Sequence, residues 1–215
     1  MKAWLTRIAL NHRHPGVHAL VGDANLLHRE LMRLAPDDLG EHPRQAAGLL
    51  YRLETGPSGV HILAQTTLEP RTDRLTGGLA ASVAVRELTP LLDALTAGAR
   101  VRYRITANPT QRVGNSTDNP ARKGKLTVVF GQRGELWWLE RATGLGLHPL
   151  SVDQTRLADI RVGAVRHAAT RFEGTGVVTD PQALRGAVIE GIGRAKSYGC
   201  GLLSLGLDRT AGGTP

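Results

Sequence analysis

The chain has 215 residues, 41% of them hydrophobic and 4% aromatic, with one cysteine and a formal net charge of +8. A single cysteine excludes an internal disulfide, no stretch reaches the ~20 apolar residues that span a bilayer, and scarce aromatics argue against a platform for stacking single-stranded bases. The charge is lopsided: residues 1–99 hold 10 Lys/Arg against 10 Asp/Glu, and residues 100–215 hold 17 against 9, the pattern of a protein that turns one basic face to a polyanion such as structured RNA.

In chain order, Lys2 to Leu10 alternates and carries Arg7, so it reads as a strand rather than a signal peptide. His12 to His18 reads as a loop because of Pro15-Gly16. Asp23 then caps a helix whose apolar positions are Leu27, Leu31 and Leu34, ended by Pro36. Leu49 to Glu54 and Val60 to Thr67 form a hairpin across Gly56-Pro57-Ser58-Gly59. Residues 71–80 are a loop or short helix, and Ala81 to Leu88 a further strand. The order is β-α-β-β-(α)-β, a ferredoxin-like pattern whose second helix is weak.

Leu91 to Gly98 reads as a connector. Arg100 to Ala107 alternates as a strand with Arg100, Arg102 and Arg104 on one face, broken by Asn108-Pro109. Residues 112–124 are polar loop. Glu135 to Ala142 suits a helix with Trp137 and Trp138 partly buried, and Ile160 to Arg166 with Ala168 to Val178 suits a hairpin. Asp180-Pro181 opens a helix over 181–190; a glycine-rich loop and a strand from Leu202 to Leu207 follow. The expected fold is α+β, two tandem ferredoxin-like (RRM-like) domains, at 1–90 and 100–209, with a linker at 91–99 and a disordered tail at 210–215.

The glycine-rich loop runs Gly191-Ile192-Gly193-Arg194-Ala195-Lys196-Ser197-Tyr198-Gly199-Cys200-Gly201. Such a loop can present N–H groups to an anion, with Arg194 and Lys196 adding full charge. It can equally be a tight helix-to-strand connection whose glycines serve geometry alone. No Gly-Lys-Ser/Thr is present, so it is not a Walker loop. His28 lies about one turn into the first helix, at the edge of its apolar face. A helix N-terminus disfavours an imidazolium there, which suits a general base; an ordinary half-buried helix histidine is the alternative. Candidate contacts for an RNA backbone are Arg29, Arg102, Arg104, the cluster Arg122, Lys123 and Lys125, then Arg161, Arg166 and Arg171. His12, His14 and His18 lack a nearby carboxylate or cysteine to complete a metal site, and Cys200 sits between glycines as a small residue.

Three features together resemble the CasE family of CRISPR-associated endoribonucleases, the RNA-processing subunits of type I-E Cascade. They are the strand-first unit with a histidine early in its helix, the strand end Tyr103-Arg104-Ile105-Thr106-Ala107-Asn108-Pro109, and the glycine loop of Gly191, Gly193, Gly199 and Gly201 with its Leu202-Leu203-Ser204-Leu205 tail. The resemblance implies two ferredoxin-like domains and cleavage of the repeat hairpins of precursor CRISPR RNA without a metal or other cofactor. It implies attack by the 2′-OH, giving a 2′,3′-cyclic phosphate and a 5′-OH. It also implies retention of the product hairpin inside Cascade, with no small-molecule substrate; the lone cysteine points to the cytoplasm, and no apolar span points to a membrane. His28 matches the family's catalytic histidine. Relatives carry a tyrosine three residues earlier, where this chain has Asn25, which can hydrogen-bond but cannot act as an acid. Two readings follow: an endoribonuclease in which His28 has a different partner, or an RNA-hairpin-binding scaffold of weak or no activity.

Overall fold

The computed structural model describes residues 2–57, 59–114 and 124–208. Its first half begins with strand β1 (Trp4–Leu10), followed by α1 (Val17–Gly22), α2 (Ala24–Met32), the single turn α3 (Pro43–Ala46), β2 (Leu50–Gly56), β3 (Gly59–Thr66) and β4 (Ala80–Glu87). The four strands form one antiparallel sheet in the order β2-β3-β1-β4. Asp23 caps α2 by accepting from the N–H of Asn25 at 2.8 Å. Ala24, Leu27 and Leu31 of that helix are buried, and Leu27, Leu31 and Leu34 pack with Ile8, Tyr51 and Ile62 in the first core.

The loop expected over His12 to His18 is corrected at its end, because Val17 begins α1 and is buried with Leu20. His14 Nδ1 accepts from the N–H of Gly16 at 3.1 Å, so that histidine shapes the turn into α1. α2 stops at Met32, before Pro36. The weak second helix is a single 3-10 turn, Thr72–Arg74. With no helix laid over it, edge strand β4 keeps Val83 and Val85 38% and 43% exposed.

The chain crosses to the second half through α4 (Thr89–Asp93). The segment expected as a connector therefore contains a short helix, and Leu92 and Leu95 are buried in the second core. There follow β5 (Arg100–Ala107), β6 (Thr110–Arg112), β7 (Leu126–Val128), α5 (Gln132–Gly144), β8 (Leu147–Pro149), β9 (Asp153–Arg156), β10 (Ile160–Val162), β11 (Val165–His167), β12 (Thr170–Val178), α6 (Pro181–Glu190) and β13 (Leu203–Leu207). The main sheet has the order β13-β5-β12-β8, with β9 also on β12. Numbered within each half, both sheets run 4-1-3-2, the ferredoxin-like arrangement, with helices on one face.

The hairpin expected from Ile160 to Val178 is corrected: β10 pairs with β11, Arg161 directly opposite Arg166. β12 instead runs through the sheet, paired with β5 over Thr170 to Val177. Its apolar content explains this, since Phe172 is fully buried and stacks on Trp138 at 5.8 Å between centroids. Both tryptophans of α5 are buried rather than half-exposed, Trp137 at 8% and Trp138 at 0%. Arg122, Lys123 and the 210–215 tail lie outside the described residues.

Candidate RNA-processing site

The helix-free faces of the two sheets turn toward each other through Arg52 and Glu54 on one side and Arg104 and Ser204 on the other, and the glycine loop lies at this seam. Arg52 of β2 is 3% exposed and donates to the carbonyls of Arg104 and Leu202 and to Ser204 Oγ, at 3.3, 3.2 and 3.1 Å. Gln65 of β3 donates to the carbonyl of Val188 in α6 at 2.8 Å. Tyr51 Oη, deep in the same seam, donates to the carbonyl of Ser197 at 3.1 Å. Burial raises the Tyr51 pKa, so it stays a phenol and a donor.

Within the loop, Gly191, Gly193, Gly199 and Gly201 all have positive φ. Close approach matters at two of them. A Cβ on Gly191 would stand 2.6 Å from Leu50 Cδ2, and one on Gly199 would stand 3.1 Å from the Tyr51 ring. The N–H groups of Gly191, Ile192, Tyr198, Cys200 and Gly201 are bonded to backbone carbonyls. Those glycines therefore serve the loop's geometry and its packing on β2. The loop also carries Lys196, in the 3-10 turn Lys196–Tyr198 entered through left-handed Ala195 (φ 57°). Lys196 Nζ donates to the carbonyl of Glu190 at 2.9 Å. Arg194 is exposed. Burial pushes the Cys200 thiol up to about 12, which makes it inert.

His28 is half-buried on α2, one residue round from buried Leu27, as its spacing predicts. Its Nδ1 is shielded from solvent with no hydrogen-bond partner among the described residues. An imidazolium carries N–H on both nitrogens, so the orphaned Nδ1 disfavours it. Burial and then the Arg44 guanidinium hold the His28 pKa below its ordinary value of 6.5. Burial, then the same Arg44, also lowers the Lys196 pKa, with Glu190 opposing. Arg44 of α3 thus acts electrostatically on both the helix histidine and the glycine-loop lysine, and it lines a cavity of about 430 Å³ together with Lys196, beside rather than around His28. Asn25 is exposed on the first turn of α2, three residues before His28, and Arg29 is exposed beside it.

The remaining candidates fall into two groups. Arg104 and Arg171 join an ion-pair chain across the seam: Arg52 to Glu54 at 2.8 Å, Glu54 to Arg104 at 3.4 Å, Arg104 to Glu173 at 2.6 Å and Arg171 to Glu173 at 3.5 Å. Both line a cleft of about 810 Å³ between the sheets, which Arg161 also lines. Arg102, Lys125, Arg161 and Arg166 are exposed. The β10–β11 hairpin reaches the glycine loop through His167, whose ring stacks on Tyr198 at 5.3 Å. Among the described residues no group of three or more His, Cys, Asp or Glu is placed to hold a metal ion, and no helix is long and apolar enough to cross a membrane.

Sequence reasoning brought out His28 and Lys196 but missed Arg44, Tyr51 and Arg52. None of the three carries a local signal; each gains its place from a segment distant in the chain.

A tandem ferredoxin-like protein with a helix histidine set against a C-terminal glycine loop is the class that these features define. The sequence matches the CRISPR associated protein family over residues 3–206, and the chain belongs to that family, in its CasE branch. It is 29% identical to the CRISPR system Cascade subunit CasE of Escherichia coli over 85% of this chain and 92% of that protein. It is 28% identical to the CRISPR-associated endoribonuclease Cse3 of Thermus thermophilus over 94% of this chain and 99% of that one. The structure of Thermus thermophilus Cse3 bound to an RNA representing a pre-cleavage complex superposes with a TM-score of 0.80, at 28% identity, covering 96% of this chain and 100% of that chain.

Proposed function

We propose that this protein is an endoribonuclease that cleaves the repeat hairpins of CRISPR precursor RNA, works without a metal and remains on its product as a cytoplasmic Cascade subunit. The family and its RNA-bound relatives support the substrate class. The observation that carries the reading is the setting of His28: a half-buried histidine kept neutral by burial and by Arg44, on a helix that Tyr51 ties to the cationic glycine loop by reaching the carbonyls of Ala24 and Ser197.

In this reaction His28 takes the proton of the ribose 2′-OH. The 2′-oxygen forms a bond to phosphorus, the bond from phosphorus to the 5′-oxygen breaks, and the 5′-oxygen takes a proton from water, while His28 releases the one it gained to solvent. The products are a 2′,3′-cyclic phosphate and a 5′-OH. Lys196 faces the charge that develops on the phosphorane, as a positioned cation does for an oxyanion. Residues 1–90 supply the proton transfer, and residues 100–209 supply the grip on the stem through Arg102, Lys125, Arg161 and Arg166, with Arg29 and Arg194 beside the scissile region. The test is His28→Ala on a repeat hairpin in EDTA, with a 2′-deoxy substitution at the cleaved nucleotide as its companion. Both are expected to abolish cutting; unchanged cleavage in either removes the assignment.

Asn25 favours a second reading, a scaffold that binds the hairpin and cuts it weakly or not at all. Single-turnover kinetics separate the two: stoichiometric cleavage with product retained supports the enzyme, and tight binding with intact RNA supports the scaffold.

A further inference from the structure

We propose that Arg44 is a further catalytic residue of this site: its guanidinium and Lys196 together hold the phosphodiester on which His28 acts. The inference rests on the reading of His28 as the proton carrier, and it deepens that reading by naming what seats the phosphate.

Arg44 differs from the other arginines of the seam. Arg52, Arg104 and Arg171 each have a glutamate within ion-pair distance. Arg44 is half-buried, yet among the described residues no carboxylate lies within ion-pair distance of it. Its one hydrogen bond to a described residue runs from Nη1 to the carbonyl of Leu49 at 3.0 Å. That bond fixes the guanidinium and leaves the edge formed by Nε and Nη2 unengaged among the described residues. This edge carries two parallel N–H groups, the pair that takes two oxygens of a phosphate at once.

Arg44 and Lys196 line the same cavity, with Gln45 and Thr67 as further polar groups. Burial first, and then repulsion by the neighbouring Arg44, lower the Lys196 pKa. Nothing about the fold of a short helix requires that arrangement, and an anion between the two cations relieves it. Glu190 also borders the cavity; its exposed carboxylate offsets part of the repulsion on Lys196, and its backbone carbonyl accepts from Lys196 Nζ. The Lys196 ammonium is held by that bond, and its backbone by the left-handed turn at Ala195, so neither cation needs to reorganise when phosphate arrives.

The experiment uses the full chain and a repeat hairpin under single-turnover conditions, with Rp and Sp phosphorothioates at the scissile linkage. Wild type is expected to cut one diastereomer more slowly than the other, because one non-bridging oxygen faces the guanidinium. Arg44→Ala is expected to slow cleavage of the ordinary linkage about 100-fold, the size seen when one oxyanion donor is removed, while hairpin affinity changes less than about 3-fold, since stem contacts lie elsewhere. The diastereomer preference is expected to vanish in Arg44→Ala. Arg44→Lys keeps the charge and a donor for Leu49, so it guards against a folding defect; it is expected to stay slow, because an ammonium lacks the fork. Normal cleavage by either variant, or a diastereomer preference that is absent from wild type or persists in Arg44→Ala, overturns the proposal. Loss of cleavage in His28→Ala with full activity in Arg44→Ala defeats this inference alone, whereas full activity in His28→Ala defeats the underlying reading first.

Discussion

Arg52 of β2 donates to the carbonyl of Leu202, 3.2 Å away at the entrance to β13, and so ties the N-terminal sheet to the last strand of the C-terminal one. The same guanidinium meets Glu54 at 2.8 Å and is 3% exposed. Substituting Arg52→Met leaves two carbonyls without this donor and Glu54 with Arg104 alone, a loss of about 2 kcal/mol, mostly from the buried carbonyls. Urea unfolding followed by circular dichroism measures it. Arg156→Met is the control: its pair with Asp159 is exposed on both sides, and such a pair contributes about 0–1 kcal/mol. Equal midpoint shifts in the two variants would contradict the clamp.

Tyr51→Phe tests the link between the N-terminal core and the glycine loop. The phenol bonds the carbonyl of Ser197, next to Lys196. Its removal is expected to cost about 1 kcal/mol of stability and to slow single-turnover cleavage several-fold, because the turn that carries Lys196 loses an anchor. The shape of the pH–rate profile should not change, since burial raises the Tyr51 pKa and keeps the group out of the titration. A changed profile would give Tyr51 a proton-transfer role that its burial argues against.

The parts of this fold that were legible in the sequence have local causes. The Asp23 cap, the alternation from Arg100 to Ala107 and the Asp180-Pro181 start each announce an element within a few residues, and β5 and α6 fall where those signals place them. The β10–β11 hairpin was misjudged because β12 looks like a hairpin arm until Phe172 finds Trp137 and Trp138 on a distant helix. The site shows the same division. His28 is announced by its helix and Lys196 by its glycines. Arg44 sits in a four-residue helix with an unremarkable sequence, and only the packing of the glycine loop against the N-terminal half makes it a neighbour of both.

Gly191→Ala and Gly193→Ala compare two loop positions of different backbone conformation and packing. Both glycines have positive φ, which disfavours a Cβ, and Gly191 with ψ 162° lies in a region essentially confined to glycine. A Cβ at Gly193 has its nearest neighbour at 3.7 Å, ordinary contact with Trp137. A Cβ at Gly191 meets Leu50 at 2.6 Å and the carbonyl of Gly201 at 3.1 Å, so the loop must lift from β2. Gly191→Ala is therefore expected to lower the unfolding midpoint further than Gly193→Ala and to reduce cleavage more. The reverse order, measured in parallel by thermal unfolding and single-turnover assay, would show that the loop does not lean on β2.

The acid limb of the cleavage profile reports His28 directly. With protein below saturation, the apparent second-order rate follows the pKa of the free protein's base. Burial first and Arg44 second hold His28 below 6.5, so the rate is expected to be flat above that value and to reach half its plateau at a lower pH. Arg44→Ala removes the second cause only, so its half-point should rise while staying below 6.5, on a much reduced plateau. Stability follows the same group. The unfolded histidine, with its higher pKa, binds a proton first as pH falls through 6.5, so acidification favours the unfolded chain, and this penalty is absent above that pH. Replacing His28 by Gln should therefore flatten the fall in stability below pH 6.5 as well as abolish cleavage. A wild-type half-point at or above 6.5 would mean that His28 is not held neutral by its surroundings.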